Sequence, residues 1–251
     1  MSFGSITLSF APTTNRTLGV NIELNADFAA PVMLHTDEIA WVDSPIKGVQ
    51  RRMLDRIGDE VARATSIVKY EPNSQFSPHV HTGGEEFLVL EGVFSDEHGD
   101  FPAGSYIRNP PTSRHTPGSE PGCVIFVKLW QFDQTDRTHV RLQIDKMGSI
   151  ADIEQPGVQV TPLYQDTHET VQLEYWSPGC HVERQVPGGA EILVLAGEFT
   201  VNADTLRLHS WLRLPPDSEL RASAGSSGVR VWIKTGHLNT PMLSFAPKKQ
   251  P

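Results

Sequence analysis

The chain has 251 residues, of which 38% are hydrophobic, with 21 Lys and Arg against 30 Asp and Glu and a formal charge of −9. That apolar share excludes wholesale disorder, and the acidic balance excludes the basic stripe that nucleic-acid binding requires. No stretch approaches the roughly 20 apolar residues that span a bilayer, so no membrane partner is expected.

In chain order, Met1 to Phe10 has neither a charged start nor a continuous apolar run, so it does not read as a signal peptide. Residues 1–25 read as an N-terminal arm or edge strand. Residues 26–137 form a first domain of short strands. Arg51 to Ala64 reads as two strands turning at Ile57-Gly58-Asp59, because Gly58 interrupts a short helix and Ala64 to Tyr70 continues as a strand. Phe87-Leu88-Val89-Leu90, Tyr106-Ile107 and Cys123 to Trp130 are apolar runs bounded by Gly, Pro, Asp and Ser turns. That spacing marks a sandwich or small barrel. Residues 138–154 read as a linker with room for one helical turn, 155–240 as a second β domain and 241–251 as a tail. The two cysteines, Cys123 and Cys180, lie in different halves, which excludes a disulfide scaffold and makes a reducing cytoplasm the default location. Cys123, inside an apolar run, reads as a buried inert thiol.

The two domains are copies. Sliding the chain by 105 residues lays Lys69–His115 on Glu174–Leu220 without a gap, and Tyr70 on Tyr175. Gly83-Gly84 meets Gly188-Gly189, the Leu88-Val89-Leu90 core meets Leu193-Val194-Leu195, and Pro110-Pro111 meets Pro215-Pro216. Gly122 to Lys128 follows on Gly228 to Lys234, and Gly48-Val49-Gln50 answers Gly157-Val158-Gln159.

The first copy carries His79-Val80-His81, then Gly83-Gly84-Glu85, then Arg114-His115. Residues i and i+2 of a strand share a face, so His79 and His81 can meet one point. The Gly-Gly step lets Glu85 swing toward it, and His115 completes the set from a neighbouring strand. Three imidazoles and a carboxylate suit one divalent transition metal, Zn or Fe first and Mn, Ni or Cu next, rather than Mg or Ca.

The Gly-bracketed pattern from His79 to Gly92 resembles the first cupin motif. Gly104 to His115 resembles the second, with Thr112 where that family usually has glycine. The phrase Gly83 to Gly104, followed by Arg108-Asn109-Pro110-Pro111, resembles the ChrR-like cupins, the cupin domains of zinc-binding anti-sigma factors, which are grouped with acetylacetone-cleaving dioxygenases. The resemblance implies an all-β chain of two tandem cupin barrels (double-stranded β-helix, jelly roll) with ligands at His79, His81, Glu85 and His115. Two functions follow from it: a regulatory or small-molecule-binding module, or a dioxygenase acting on a small β-dicarbonyl. The dioxygenase relatives use three histidines, whereas this motif adds Glu85. The chain has no Cys-x-x-Cys, and residues 1–25 hold neither His nor Cys, so a complete anti-sigma factor is not expected.

The second copy acts as an internal control. His79, His81, Glu85 and His115 fall on Arg184, Val186, Ala190 and Leu220, so metal is expected only in the first barrel. Glu86 recurs as Glu191 and Arg108 as Arg213, which favours structural roles, with Glu86 retained as a candidate for bonding behind the ligands. Arg114 becomes Glu219, which leaves it either facing the metal pocket or solvated. Tyr106, Phe87, Phe126 and Trp130 read as core, and His98 as shaping its turn. A small-molecule ligand in the first barrel and a homodimer are the expected partners.

Overall fold

A computed structural model describes residues 22–59 and 61–239, so most of the arm and the whole tail lie outside the described residues. Described residues Glu23–Leu24 do form an edge strand, paired with Arg56 and Ile57. The expected hairpin is present as strands Val49–Gly58 and Ala62–Tyr70. Glycine permits its turn, since Gly58 has φ of +111° and a Cβ there would stand 2.7 Å from the Val61 carbonyl oxygen.

Two large antiparallel sheets follow the repeat. Along the first run strands Val49–Gly58, Ala62–Tyr70, Cys123–Leu129, Glu85–Asp96 and Ser105–Asn109. Along the second run Val158–Gln165, Thr170–Trp176, Ser218–Thr235, Ala190–Val201 and Ser210–Leu214 in the same order. The copies differ at one joint. Ser218–Thr235 is a single 18-residue strand, whereas the first copy is broken into Arg114–His115, Gly118–Ser119 and Cys123–Leu129. Pro117 and Pro121 account for the breaks, since neither can donate to a ladder and the second copy has none there.

The ladders shift the sequence alignment by one residue at Tyr70. Cys123 pairs with Tyr70 and Val229 pairs with Trp176, so Trp176, not Tyr175, is the structural partner of Tyr70.

Residues 138–154, read as a linker with room for one helical turn, hold a strand and a 3-10 turn that have a counterpart ahead of the first copy. Val140–Gln143 is a strand followed by the 3-10 turn Ile144–Lys146, and Val32–His35 is a strand followed by the 3-10 turn Thr36–Glu38. The first adds to Ser105–Asn109, the second crosses to Ser210–Leu214. Val32–His35 therefore completes the second sheet although it lies within residues 26–137, and each copy's leading strand caps the other copy's sheet.

Three apolar cores result. Val68, Phe87, Val89, Phe94, Ile125 and Val127 belong to the first barrel's core, and Trp176, Val186, Phe199, Leu220 and Val231 to the second's. Between them, Leu54, Ile67, Leu88, Tyr106 and Phe126 meet Leu173, Leu193, Trp211 and Trp232.

Buried ion pairs lace this middle layer reciprocally. Lys128 Nζ lies 2.6 Å from Glu191 and Lys234 Nζ 2.6 Å from Glu86. Arg108 reaches Glu169 at 2.6 Å, and Arg213 reaches Asp55 at 3.2 Å. Equivalent residues Tyr106 and Trp211 donate to Glu86 and Glu191. Burial by itself pushes the Glu86 carboxyl up, but the charges of Lys234 and Arg108 and the bonds it accepts bring it down to about 2. Cys123 is buried as expected, and burial pushes its thiol up to about 11.

Candidate metal site

The four sequence-selected residues come from three places in the first barrel. Strand His79–Val80 pairs with Arg114–His115 so that His79 faces His115, and His81 follows two residues on. The two strands hold the three imidazole centroids 4.7 to 5.0 Å apart. A ligating nitrogen from each of His79, His81 and His115 lies within 4.8 Å of the others, close enough to share one metal ion. Glu85 starts strand Glu85–Asp96, with a carboxylate oxygen 3.4 Å from His81 Nε2 and 3.7 Å from His115 Nε2. It flanks two imidazoles, and the compact set comprises the histidines alone.

The glycines before it are positioned by contact. Gly84 takes φ of +77°, and a Cβ on Gly83 would stand 2.1 Å from the Trp130 indole. Thr112, at the position where the resembling family has glycine, also takes a left-handed φ of +75°, as does Asp217 in the second copy at +59°. The turn therefore keeps the glycine conformation without the glycine.

Hydrogen bonds outside the cluster orient two rings. Ser77 carbonyl oxygen lies 3.1 Å from His79 Nδ1, so that nitrogen donates. Asp96 lies 3.2 Å from His115 Nδ1 and accepts its proton. Both rings then present Nε2 lone pairs inward, which is the tautomer a metal ligand needs. His81 Nε2 approaches His115 Nε2 to 2.9 Å, a spacing that cannot hold two protons. Asn109 donates to Glu85 at 3.3 Å.

The electrostatics separate the two buried rings. Burial holds the His81 pKa below its ordinary value. Burial also pulls His115 down, but the Asp96 hydrogen bond and the Glu85 charge outweigh it and the net shift is upward. Borderline nitrogen donors, a flanking carboxylate and fixed tautomers fit a divalent transition cation.

His79, His81 and Glu85 line a cavity of about 680 Å³, walled by Val49, Val68, Phe76, Ile125, Val127 and Trp130. His79 is exposed to it, while His81 and His115 are buried. Trp130 thus lines the cavity instead of sitting in the core, because its ring lies over Gly83 at the strand's end.

Of the alternatives open for Glu86 and Arg114, the geometry matches the structural one for Glu86 and the solvated one for Arg114. Glu86 alternates to the opposite face of its strand from Glu85 and bonds Tyr106 and Lys234 in the middle layer. Arg114 is exposed and alternates away from His115, lining a separate surface hollow with Val80 and His139. Asp96 and Asn109 are the residues that bond His115 and Glu85. Asp96 had a sequence signal in its turn with His98, whose backbone N–H it also accepts at 2.7 Å.

In the second barrel Val186, Ala190 and Leu220 pack in the apolar core. Arg184 forms a paired fork with Glu174 at 2.7 and 2.9 Å. His181 bonds Ser223, and Glu183 pairs with Arg221, so the phrase His181-Val182-Glu183 builds no second cluster.

A pair of jelly-roll sheets with one histidine cluster defines a two-barrel cupin. Residues 29–133 match the model of the ChrR cupin-like domain family. Among solved structures, a provisionally named dioxygenase of Nostoc punctiforme PCC 73102 superposes with a TM-score of 0.70 at 15% identity, covering 88% of each chain. Protein Ylba of Escherichia coli gives 0.64 at 13%, covering 86% of this chain and 93% of that one. The E. coli pirin YhhW in complex with nickel(II) gives 0.59 at 14%, covering 82% and 99%. These likenesses establish the fold. No curated protein matches the chain. Among the described residues no helix is long and apolar enough to cross a membrane.

Proposed function

We propose that the first barrel binds one divalent transition metal through His79, His81 and His115, with Glu85 as a fourth ligand, and uses it to bind a small molecule. The observation that carries this reading is the position of the cluster on the wall of the 680 Å³ cavity. A purely structural metal is enclosed by its protein ligands, whereas this cluster adjoins space for a further ligand. The metal would supply Lewis acidity to oxygen atoms of the bound molecule. His79, His81 and His115 would hold it, Asp96 and Ser77 would fix ring orientation, and the apolar walls would exclude water. The second barrel serves as a metal-free scaffold.

A second reading, a dioxygenase acting on a β-dicarbonyl, is favoured by the same open side and by the provisional name of the Nostoc relative. Elemental analysis followed by O2 uptake after Fe(II) loading separates the two. One equivalent of metal per chain, lost in His81→Ala, supports the metal reading, and iron-dependent O2 consumption with β-dicarbonyls adds the enzyme. Metal content unchanged by His81→Ala contradicts both.

A further inference from the structure

The cavity beside the histidines has a cationic wall. Arg51 and Lys47 line it, and among the described residues Glu85 is the one carboxylate that does. Arg51 lies two residues after Val49 on strand Val49–Gly58 and is paired in register with Val68, so it shares their inward face. Val49, Val68, Ile125 and Val127 are buried core residues around the same space. Arg51 is half-buried there, yet among the described residues no hydrogen bond or ion pair reaches its guanidinium.

Arginines buried elsewhere in the molecule carry ion pairs, and Arg52 beside Arg51 lies over the Trp41 ring. Arg108 pairs with Glu169 and Asp136, Arg213 with Asp55, and Arg184 with Glu174. A guanidinium against apolar walls favours an anion, because it presents a planar fork of donors matched to a carboxylate. The second barrel again provides the contrast. Arg51 stands opposite Val68 in its ladder and Val160 stands opposite Glu174, which places Val160 at the Arg51 position. Val160 is buried in a packed core. The arginine therefore occurs in the barrel that has the histidine cluster, and a core valine takes its place in the other.

We propose that the ligand of this cavity is a small organic dianion. One end carries a pair of oxygens for the metal held by the histidines, and the other is a carboxylate that Arg51 receives, with Lys47 adding positive charge at the exposed rim. The inference rests on the metal reading above and adds the ligand's class. It distinguishes the cavity from one built for a neutral β-dicarbonyl, which would leave Arg51 without a counter-charge. The volume falls within the range of roughly 300–1,000 Å³ typical of small-molecule sites.

The test uses the full chain loaded with Co(II) and two probes that share a 2-oxo acid end, 2-oxoglutarate and 2-oxopentanoate, with affinities from calorimetry. The expected result is binding of the dicarboxylate at least about tenfold tighter, as for a charged hydrogen-bonded pair. Arg51→Met is expected to bring the ratio to about one with cobalt stoichiometry unchanged, and Arg51→Lys to restore part of it. Equal affinities in the cobalt-loaded wild type, or a preference that survives Arg51→Met, overturn the dianion proposal alone. A wild-type chain that retains no cobalt overturns the metal reading, and this proposal with it.

Discussion

The two barrels are the same strand plan filled in two ways. Where the first places His79, His81, Glu85 and His115 around a cavity, the second places Arg184, Val186, Ala190 and Leu220, three of them within a packed core. Asp96 and Asn109, which bond the cluster, align with Val201 and Leu214. What both copies keep is the backbone and the shared layer. Gly92 and Gly197 take φ of +70° and +71°, and a Cβ on either would stand 2.0 or 2.1 Å from a facing carbonyl oxygen. Glu86 and Glu191, Arg108 and Arg213, and Lys128 and Lys234 recur because each must meet a partner from the other half. Residues shared by both copies build the molecule, and residues confined to one copy build the site.

The largest effect that can test this division is on metal content. His79→Ala with His81→Ala is expected to take occupancy from one equivalent to none while the chain unfolds cooperatively near the metal-free wild-type midpoint. The second core and the middle layer contain no metal ligand, so global collapse on thermal unfolding would break the division. Next comes Lys128→Met, which strands the buried Glu191 carboxylate and is expected to cost about 3–5 kcal/mol in chemical denaturation. Lys234→Met is expected to do the same through Glu86. A cost below about 1 kcal/mol for both would show that the reciprocal pairs do not hold the halves together.

His237 gives a pH test of the same layer. It is buried, 2.8 Å from Glu191. Burial pushes its pKa down to about 4 despite the opposing pull of Glu191. In the unfolded chain it takes up a proton below about pH 6.5, whereas the folded chain does so only near 4. Its contribution to stability is therefore present above pH 6.5 and lost as pH falls from there to about 4, by up to about 3 kcal/mol. Comparing wild type with His237→Gln across that window should show a flatter profile in the variant, and parallel profiles would contradict the assignment. The smallest effect concerns Asp96→Asn, which weakens the acceptor at His115 Nδ1. It is expected to lower metal affinity about 10–100-fold with little change in fold. Val201→Ala at the matching place in the second barrel should leave metal affinity unchanged.

Much of this was legible in the sequence because glycine, proline and histidine act locally. The repeat, the Gly58 turn, the Gly-Gly step and the His-x-His pair follow from chain neighbours. The rest depends on contacts between distant segments. Val32 to Asp37 and Val140 to Asp145 share a Val-x-Leu-x-x-Asp pattern that marks them as equivalent. No local rule says that the first crosses to the other sheet. Alternation by itself would have placed Glu86 opposite Glu85, and Arg114 opposite His115, once the strands were assigned. Trp130 and Arg51 read as ordinary strand residues until the cavity between them is seen. Tyr70 was aligned with Tyr175 by identity, and only the ladders show that the chain is shifted by one residue there.

The central claim is that the histidine cluster of the first barrel holds one metal ion. Anomalous diffraction from crystals grown with Co(II), recorded on either side of the cobalt edge, tests it most directly. The account predicts a single strong peak bonded by His79, His81 and His115, with none inside the second barrel. No peak at the cluster, or a peak bonded by other residues, would contradict it.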